Sequence, residues 1–185
     1  MARLRVPENN INLNEQRAIA DFVKEFGLWY ERWENEAPPL PEATDNEVLA
    51  AYAGEIERVK ARGGYVVADV INVNPSTPGL DAMLDRFLIE HTHSEDEVRF
   101  VVKGSGVFHI NPVNAPVFAI EMEVGDMIGV PKGTRHWFNL CSDKTIQAIR
   151  FFQETSGWTP HYIEDPVHAR FEPGCFGQTF VEIKS

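Results

Sequence analysis

The chain has 185 residues, and 28 Asp and Glu outweigh 17 Lys and Arg to give a formal net charge of −11. That length predicts one domain, residues 1–185, with a substantial core, and an acidic balance with no basic stripe sets nucleic acid aside as a partner. No apolar run reaches transmembrane length and no basic-then-apolar leader opens the chain, so neither membrane association nor secretion is expected.

Residues 1–80 read as a helix and strand scaffold. Ile19, Phe22, Val23 and Phe26 recur at spacings of three and four, which predicts a helix from Asn12 or Asn14 to Phe26, closed by Gly27. Leu28 to Trp33 alternates as a strand would, and Ala37 to Pro41 is a stiff, proline-rich connector. Thr44 and Glu47 have capping-box spacing, and Val48, Leu49, Tyr52, Ile56 and Val59 make one helical face that Gly63-Gly64 ends. Tyr65 to Val73 reads as a strand, and Leu80, Met83, Leu84 and Phe87 as a short helix. The aromatic stripes are expected in the core.

Residues 81–155 carry the chemistry. In Glu90-His91-Thr92-His93-Ser94-Glu95-Asp96-Glu97, the two histidines stand two apart, so an extended strand turns both imidazoles to one side. Ser94-Glu95-Asp96 is turn chemistry, and Val98 to Val102 follows as a strand, so a hairpin is expected with Glu97 facing back toward the histidines. Farther on, Pro131-Lys132-Gly133-Thr134 makes a turn that feeds His136 into a strand with Trp137 and Phe138. Imidazoles with one carboxylate form a common shell for iron, nickel, manganese or zinc, and His91, His93, Glu97 and His136 are expected to hold one divalent ion. Gly104-Ser105-Gly106 reads as a turn, followed by strands over Val107–Ile110, Val117–Val124, Met127–Val130, His136–Leu140 and Thr145–Phe152. Short antiparallel strands at this spacing predict a barrel or sandwich.

Arg99 shares a strand face with Glu97, and Arg150 sits in the nearly apolar run Ile146 to Phe152. A guanidinium in such a place needs an anion, either substrate or a protein carboxylate such as Glu90, Glu95 or Asp96. His109 fits no ligand spacing and reads as a structural, hydrogen-bonded histidine; His161 and His168 read as surface residues. Phe138 and Trp158 are core aromatics by default, with the wall of a pocket as the alternative. Only two cysteines, Cys141 and Cys175, occur, outside any C-x-x-C pair, which favours neither a disulfide framework nor a thiolate zinc site and fits a reducing compartment. Residues 156–185 form a C-terminal extension.

The pattern His91-x-His93-x3-Glu97-x6-Gly104, with Gly125-x5-Pro131-x-Gly133-x2-His136, resembles the two cupin motifs. That implies a mainly β fold with flanking helices, a double-stranded β-helix barrel of jelly-roll type. Across roughly residues 25–171 the chain further resembles the acireductone dioxygenase family. The resemblance rests on Glu90 to Phe100, Val130 to Phe138, Ala148 to Phe152, Gly157-Trp158, Val48 to Ala53 and Gly63-Gly64-Tyr65. It departs at the Asn111–Pro116 loop, at Thr159-Pro160 and in the tail after Phe171.

The resemblance implies a cytoplasmic dioxygenase of methionine salvage acting on 1,2-dihydroxy-3-keto-5-(methylthio)pentene with dioxygen. With iron the products are formate and 4-methylthio-2-oxobutanoate; with nickel they are formate, carbon monoxide and 3-methylthiopropanoate. It also implies one Fe2+ or Ni2+ per chain, two positions left for a chelating enediolate, Arg99 and Arg150 offsetting its negative charge, and Phe87, Phe138 and Trp158 around the methylthio tail. A monomer is expected. Another metal-cupin enzyme (a different dioxygenase, a decarboxylase or an isomerase) would use the same four ligands, and a non-catalytic small-molecule-binding cupin would keep the barrel without turnover.

Overall fold

The computed structural model describes residues 1–34, 39–40, 42–154, 159–171 and 174–176. The chain opens with β1 (Arg3–Val6) and β2 (Ile11–Leu13), an antiparallel pair joined by a 3-10 turn over Pro7–Asn9. The helix expected from Asn12 or Asn14 therefore starts later, as α1 (Gln16–Lys24), because Ile11 to Leu13 pair with β1 instead. Its apolar stripe turns inward: Ile19 and Val23 are buried, and Phe22 and Phe26 pack on Phe118. Next comes β3 (Trp29–Arg32), as the alternation predicts. Most of the Ala37–Pro41 connector lies outside the described residues.

Thr44 caps α2 (Asp45–Ala51): its hydroxyl accepts from the Glu47 amide while the Glu47 carboxylate accepts from the Thr44 amide. One helical face continues into α3 (Ala53–Gly63), which Gly64 closes in the left-handed region at φ 68°. The two helices meet at Tyr52, whose ring lies edge-on to Phe100. After β4 (Val67–Val73) and α4 (Leu80–Leu88) come the barrel strands: β5 (His91–Thr92), β6 (Glu97–Asn111), β7 (Phe118–Glu123), β8 (Asp126–Val130), β9 (Arg135–Leu140) and β10 (Ile146–Phe152), with β11 (His161–Tyr162) last.

These strands make two antiparallel layers that share β6. One runs β11-β5-β9-β6-β7-β1-β2; the other runs β4-β10-β6-β8-β3. The mainly β cupin architecture expected from the motifs is the one observed. Two local expectations are corrected. Gly104 to Gly106 is no turn: β6 runs unbroken for 15 residues and bends there, passing from one layer to the other. Gly104 sits at φ 76°, and a Cβ on it would lie 2.0 Å from the Thr145 carbonyl oxygen, so only glycine fits the crossing. Nor do β5 and β6 form a hairpin; β5 pairs with β9 and β11, while the first residues of β6 pair with β8 and β10.

Alternation along the strands sorts the core into layers. Phe108, Ile110, Ile120, Phe138, Ile128 and Ala148 fill the space between the sheets, with α1 and α4 against it. Val98, Phe100, Ile149 and Phe151 point the other way, under α2 and α3 and Trp33. Val107, Ala119 and Trp137 form a third cluster on the outer face of β6, β7 and β9, covered by Phe171 and Phe176 from the C-terminal extension. That extension is also tied covalently: Cys141 and Cys175 form a disulfide, with Cα atoms 5.4 Å apart. The sequence favoured no disulfide, since the two cysteines are 34 residues apart and meet only when the tail folds back over the end of β9. No helix among the described residues is long and apolar enough to cross a membrane.

Candidate metal centre

The four residues singled out from the motifs converge between the two layers. His91 stands on β5 and His136 on β9, directly opposite one another in the ladder. Glu97 comes from the other layer, at the start of β6, where it faces Val130 of β8. His93 follows β5. All four side chains are buried, and one ligand atom from each lies within 4.8 Å of the others. Glu97 Oε2 is 2.9 Å from His136 Nε2 and 3.1 Å from His93 Nε2. The imidazole centroids are 4.5 to 5.2 Å apart.

The second nitrogen of each ring shows what the first is for. His91 Nδ1 lies 2.7 Å from the Ile89 carbonyl, His136 Nδ1 lies 2.8 Å from that of Thr134, and His93 Nδ1 lies 3.1 Å from that of Thr159. A carbonyl only accepts, so Nδ1 carries the proton in all three rings. Each Nε2 then offers its lone pair to the centre. Burial, and then His136, push His91 down to about pKa 4, so it stays neutral near neutrality. Burial alone would raise Glu97, but the Arg99 guanidinium beside it outweighs that and holds the carboxylate well below its usual range. Three neutral imidazoles and one ionised carboxylate fit a divalent transition-metal ion and suit Ca2+ or Mg2+ poorly.

Arg99 donates through Nε to Glu97 Oε1 at 2.5 Å. Its guanidinium also lies 5.7 Å from the Phe87 ring centroid and 5.6 Å from that of Phe138, so two of the three candidate pocket aromatics stand beside it. Arg150 makes a two-pronged bond to Asp69 at 2.8 and 2.6 Å and lies over Phe152. Each arginine thus has a protein carboxylate, Glu97 for Arg99 and Asp69 for Arg150, beyond the three suggested by proximity in sequence. Trp158 lies outside the described residues. His161 is exposed on β11, while His168 Nδ1 accepts from the Glu90 amide.

Sequence reasoning missed Glu90 as a hub. It is fully buried, and its carboxylate accepts from Asn111 Nδ2, Arg135 Nε and the Val167 amide. Its place beside His91 and the arginine preceding His136 were the available signals. The carbonyls of Ile89, Thr134 and Thr159 have no side-chain signature and left none.

His109 is buried on the opposite face, its ring stacked on Trp137 at 4.8 Å with 3° between planes. The hydrogen bonds expected of it are missing: neither ring nitrogen has a partner among the described residues. Burial pushes its pKa from 6.5 down to about 3. Above pH 6.5 both folded and unfolded chains hold it neutral; below that the unfolded chain takes up a proton the folded one refuses, so stability falls as pH drops toward 3. His109→Phe should keep the stack and flatten that fall by up to about 1.4 kcal/mol per pH unit. Urea unfolding of variant and parent at a series of pH values will check this; parallel curves would refute it.

The chain matches the ARD/ARD' family over residues 7–160. An acireductone dioxygenase of Picosynechococcus sp. is 42% identical over 171 residues, which span 92% of this chain and 97% of that protein. One from Methylococcus capsulatus is 42% identical over 159 residues, covering 86% of this chain and 85% of that one. Among solved structures, acireductone dioxygenase from Bacillus anthracis with a cadmium ion in its active center aligns with a TM-score of 0.80 at 40% identity. That alignment covers 88% of this chain and 98% of the other.

Proposed function

Because this chain belongs to the ARD/ARD' family, a branch of the cupins, we propose that it is an acireductone dioxygenase. It cleaves 1,2-dihydroxy-3-keto-5-(methylthio)pentene with dioxygen, in methionine salvage, in the cytoplasm and as a monomer. The observation that carries this reading is the set of three imidazoles, each held by a backbone carbonyl so that Nε2 faces the Glu97 carboxylate. His91, His93, Glu97 and His136 hold one Fe2+ or Ni2+. That ion supplies Lewis acidity and a template for the oxygens of an enediolate.

The protein's own groups do the rest. Arg99 fixes the orientation of Glu97 and places positive charge beside the centre, where an anionic substrate needs it. Phe87 and Phe138 flank that guanidinium and keep water from the reacting end. Arg150, committed to Asp69, contributes charge at longer range. An acidic chain repels anions at a distance, so capture depends on these local groups.

Oxygen uptake by iron-loaded and nickel-loaded protein, with acireductone and with a panel of other cupin substrates, tests the proposal. Uptake with acireductone alone is expected, with carbon monoxide evolved only by the nickel form. Uptake with a different substrate, or none with any, would overturn it in favour of another metal-cupin enzyme or a binding protein.

A further inference from the structure

The segment after β10 returns across the metal centre before it is fastened to the barrel. Its Thr159 carbonyl accepts from His93 Nδ1, and β11 pairs with β5, setting Tyr162 opposite His91. The Ile163 amide then reaches the Glu90 carbonyl, and the Val167 amide reaches the Glu90 carboxylate. Little side-chain packing supports this strap near the site: both β11 residues are exposed, and the 3-10 turn over His168–Arg170 buries nothing. Its hold comes from farther on. Phe171 and Phe176 cover Trp137, the Phe176 amide donates to Glu121, and Cys175 is bonded to Cys141 just past the end of β9.

We propose that Cys141 and Cys175 form a thiol–disulfide modification site whose closed form holds the strap over β5 and slows loss of metal from the centre. The strand ended by Cys141 carries His136, and the strap ended by Cys175 carries the carbonyl that orients His93. The bond thus ties the strand that carries one ligand to the segment whose carbonyl supports another. Such supports set ring orientation and basicity, so loosening them weakens metal binding. The family match stops at residue 160, which leaves Cys175 in a part of the chain the profile does not cover.

The chemistry is ordinary exchange. On closing, the two thiols give up two protons and two electrons to a small disulfide such as oxidised glutathione, which departs as two thiols. On opening, one thiolate of a dithiol reductant attacks the half-buried Cys175 sulfur and Cys141 leaves as thiolate; the reductant's second thiol then displaces Cys175 from the mixed disulfide, and the reductant ends as its own disulfide. In a reducing cell interior, cysteine pairs that do oxidise are typically redox-sensing.

The test uses the full chain loaded with nickel(II), one portion treated with oxidised glutathione and one with a phosphine reductant, both then desalted. Transfer of nickel to excess chromogenic chelator gives the release rate, and hydrogen exchange at the Ile163 and Val167 amides reports on the strap. The reduced form should release nickel about tenfold faster, at the low end of what losing an outer ligand partner costs, with faster exchange at both amides. Cys175→Ser and Cys175→Ala should match the reduced form under either treatment. Equal release and exchange in both redox states would overturn the proposal, as would two free thiols surviving oxidation. Failure to bind nickel in either state would instead overturn the metal centre on which the strap's role rests.

Discussion

His136→Ala should lose both metal and oxygen consumption, the largest effect expected of any single substitution in this protein. His136 is the ligand candidate that binds the two layers together: it pairs with His91 in one sheet, and its Nε2 meets Glu97 from the other. Losing an outer hydrogen-bond partner of a ligand costs about 10- to 100-fold in metal affinity, and losing the ligand itself should exceed about 100-fold. Metal analysis of purified protein, beside oxygen uptake with acireductone, gives the readout. His136→Gln, nearer in volume, separates loss of ligation from loss of fold if its melting temperature stays close to the parent's. A variant that retains a full equivalent of metal would remove His136 from the centre.

Arg99→Met should weaken the centre from one shell farther out. On the sequence pattern alone, replacing Arg99 spares the metal and impairs substrate binding. The 2.5 Å bond to Glu97 Oε1 adds a cost to the metal itself, about 10- to 100-fold in affinity. The sign of the pH effect follows. Burial favours the protonated carboxyl and Arg99 opposes it most strongly, so Glu97 ionises well below the usual range. Its contribution to the site is present above that range and lost as pH falls through it. Without Arg99 that loss moves to higher pH, and the acid limb of metal binding should shift upward in the variant. Chelator competition at a series of pH values measures the shift; parent and variant with the same acid limb would show that Arg99 does not govern Glu97.

The ligand set was legible because its signal is local. The two-residue spacing of His91 and His93 fixes a common side, and the turn before His136 fixes where that strand enters. Helices α2 and α4 were equally legible from a capping box and an apolar face, since both act within a few residues. What escaped depends on partners far away in the chain. Ile11 to Leu13 looked like the approach to a helix but pairs with β1. The glycines at 104 and 106 looked like a turn, and only Thr145 and Phe138, packed against them, show why glycine is needed in a continuous strand. β5 lies near β6 in sequence yet takes β9 as its neighbour. The disulfide and the Thr159 carbonyl on His93 belong to the same class, made when a late segment folds back on an early one.

Every ladder neighbour of β6, in either layer, is translated after it: β7, β8, β9 and β10. A chain emerging from the ribosome therefore leaves one edge of the first half of its longest strand open until Phe152 is out, a hazard for edge-to-edge aggregation. Such non-local pairing also folds slowly. The ion can offer the nascent chain no help, because Glu97 waits for a histidine 39 residues downstream. Metal binding by the full set of four side chains is thus a late step of maturation, possible only once the strand carrying His136 is in place.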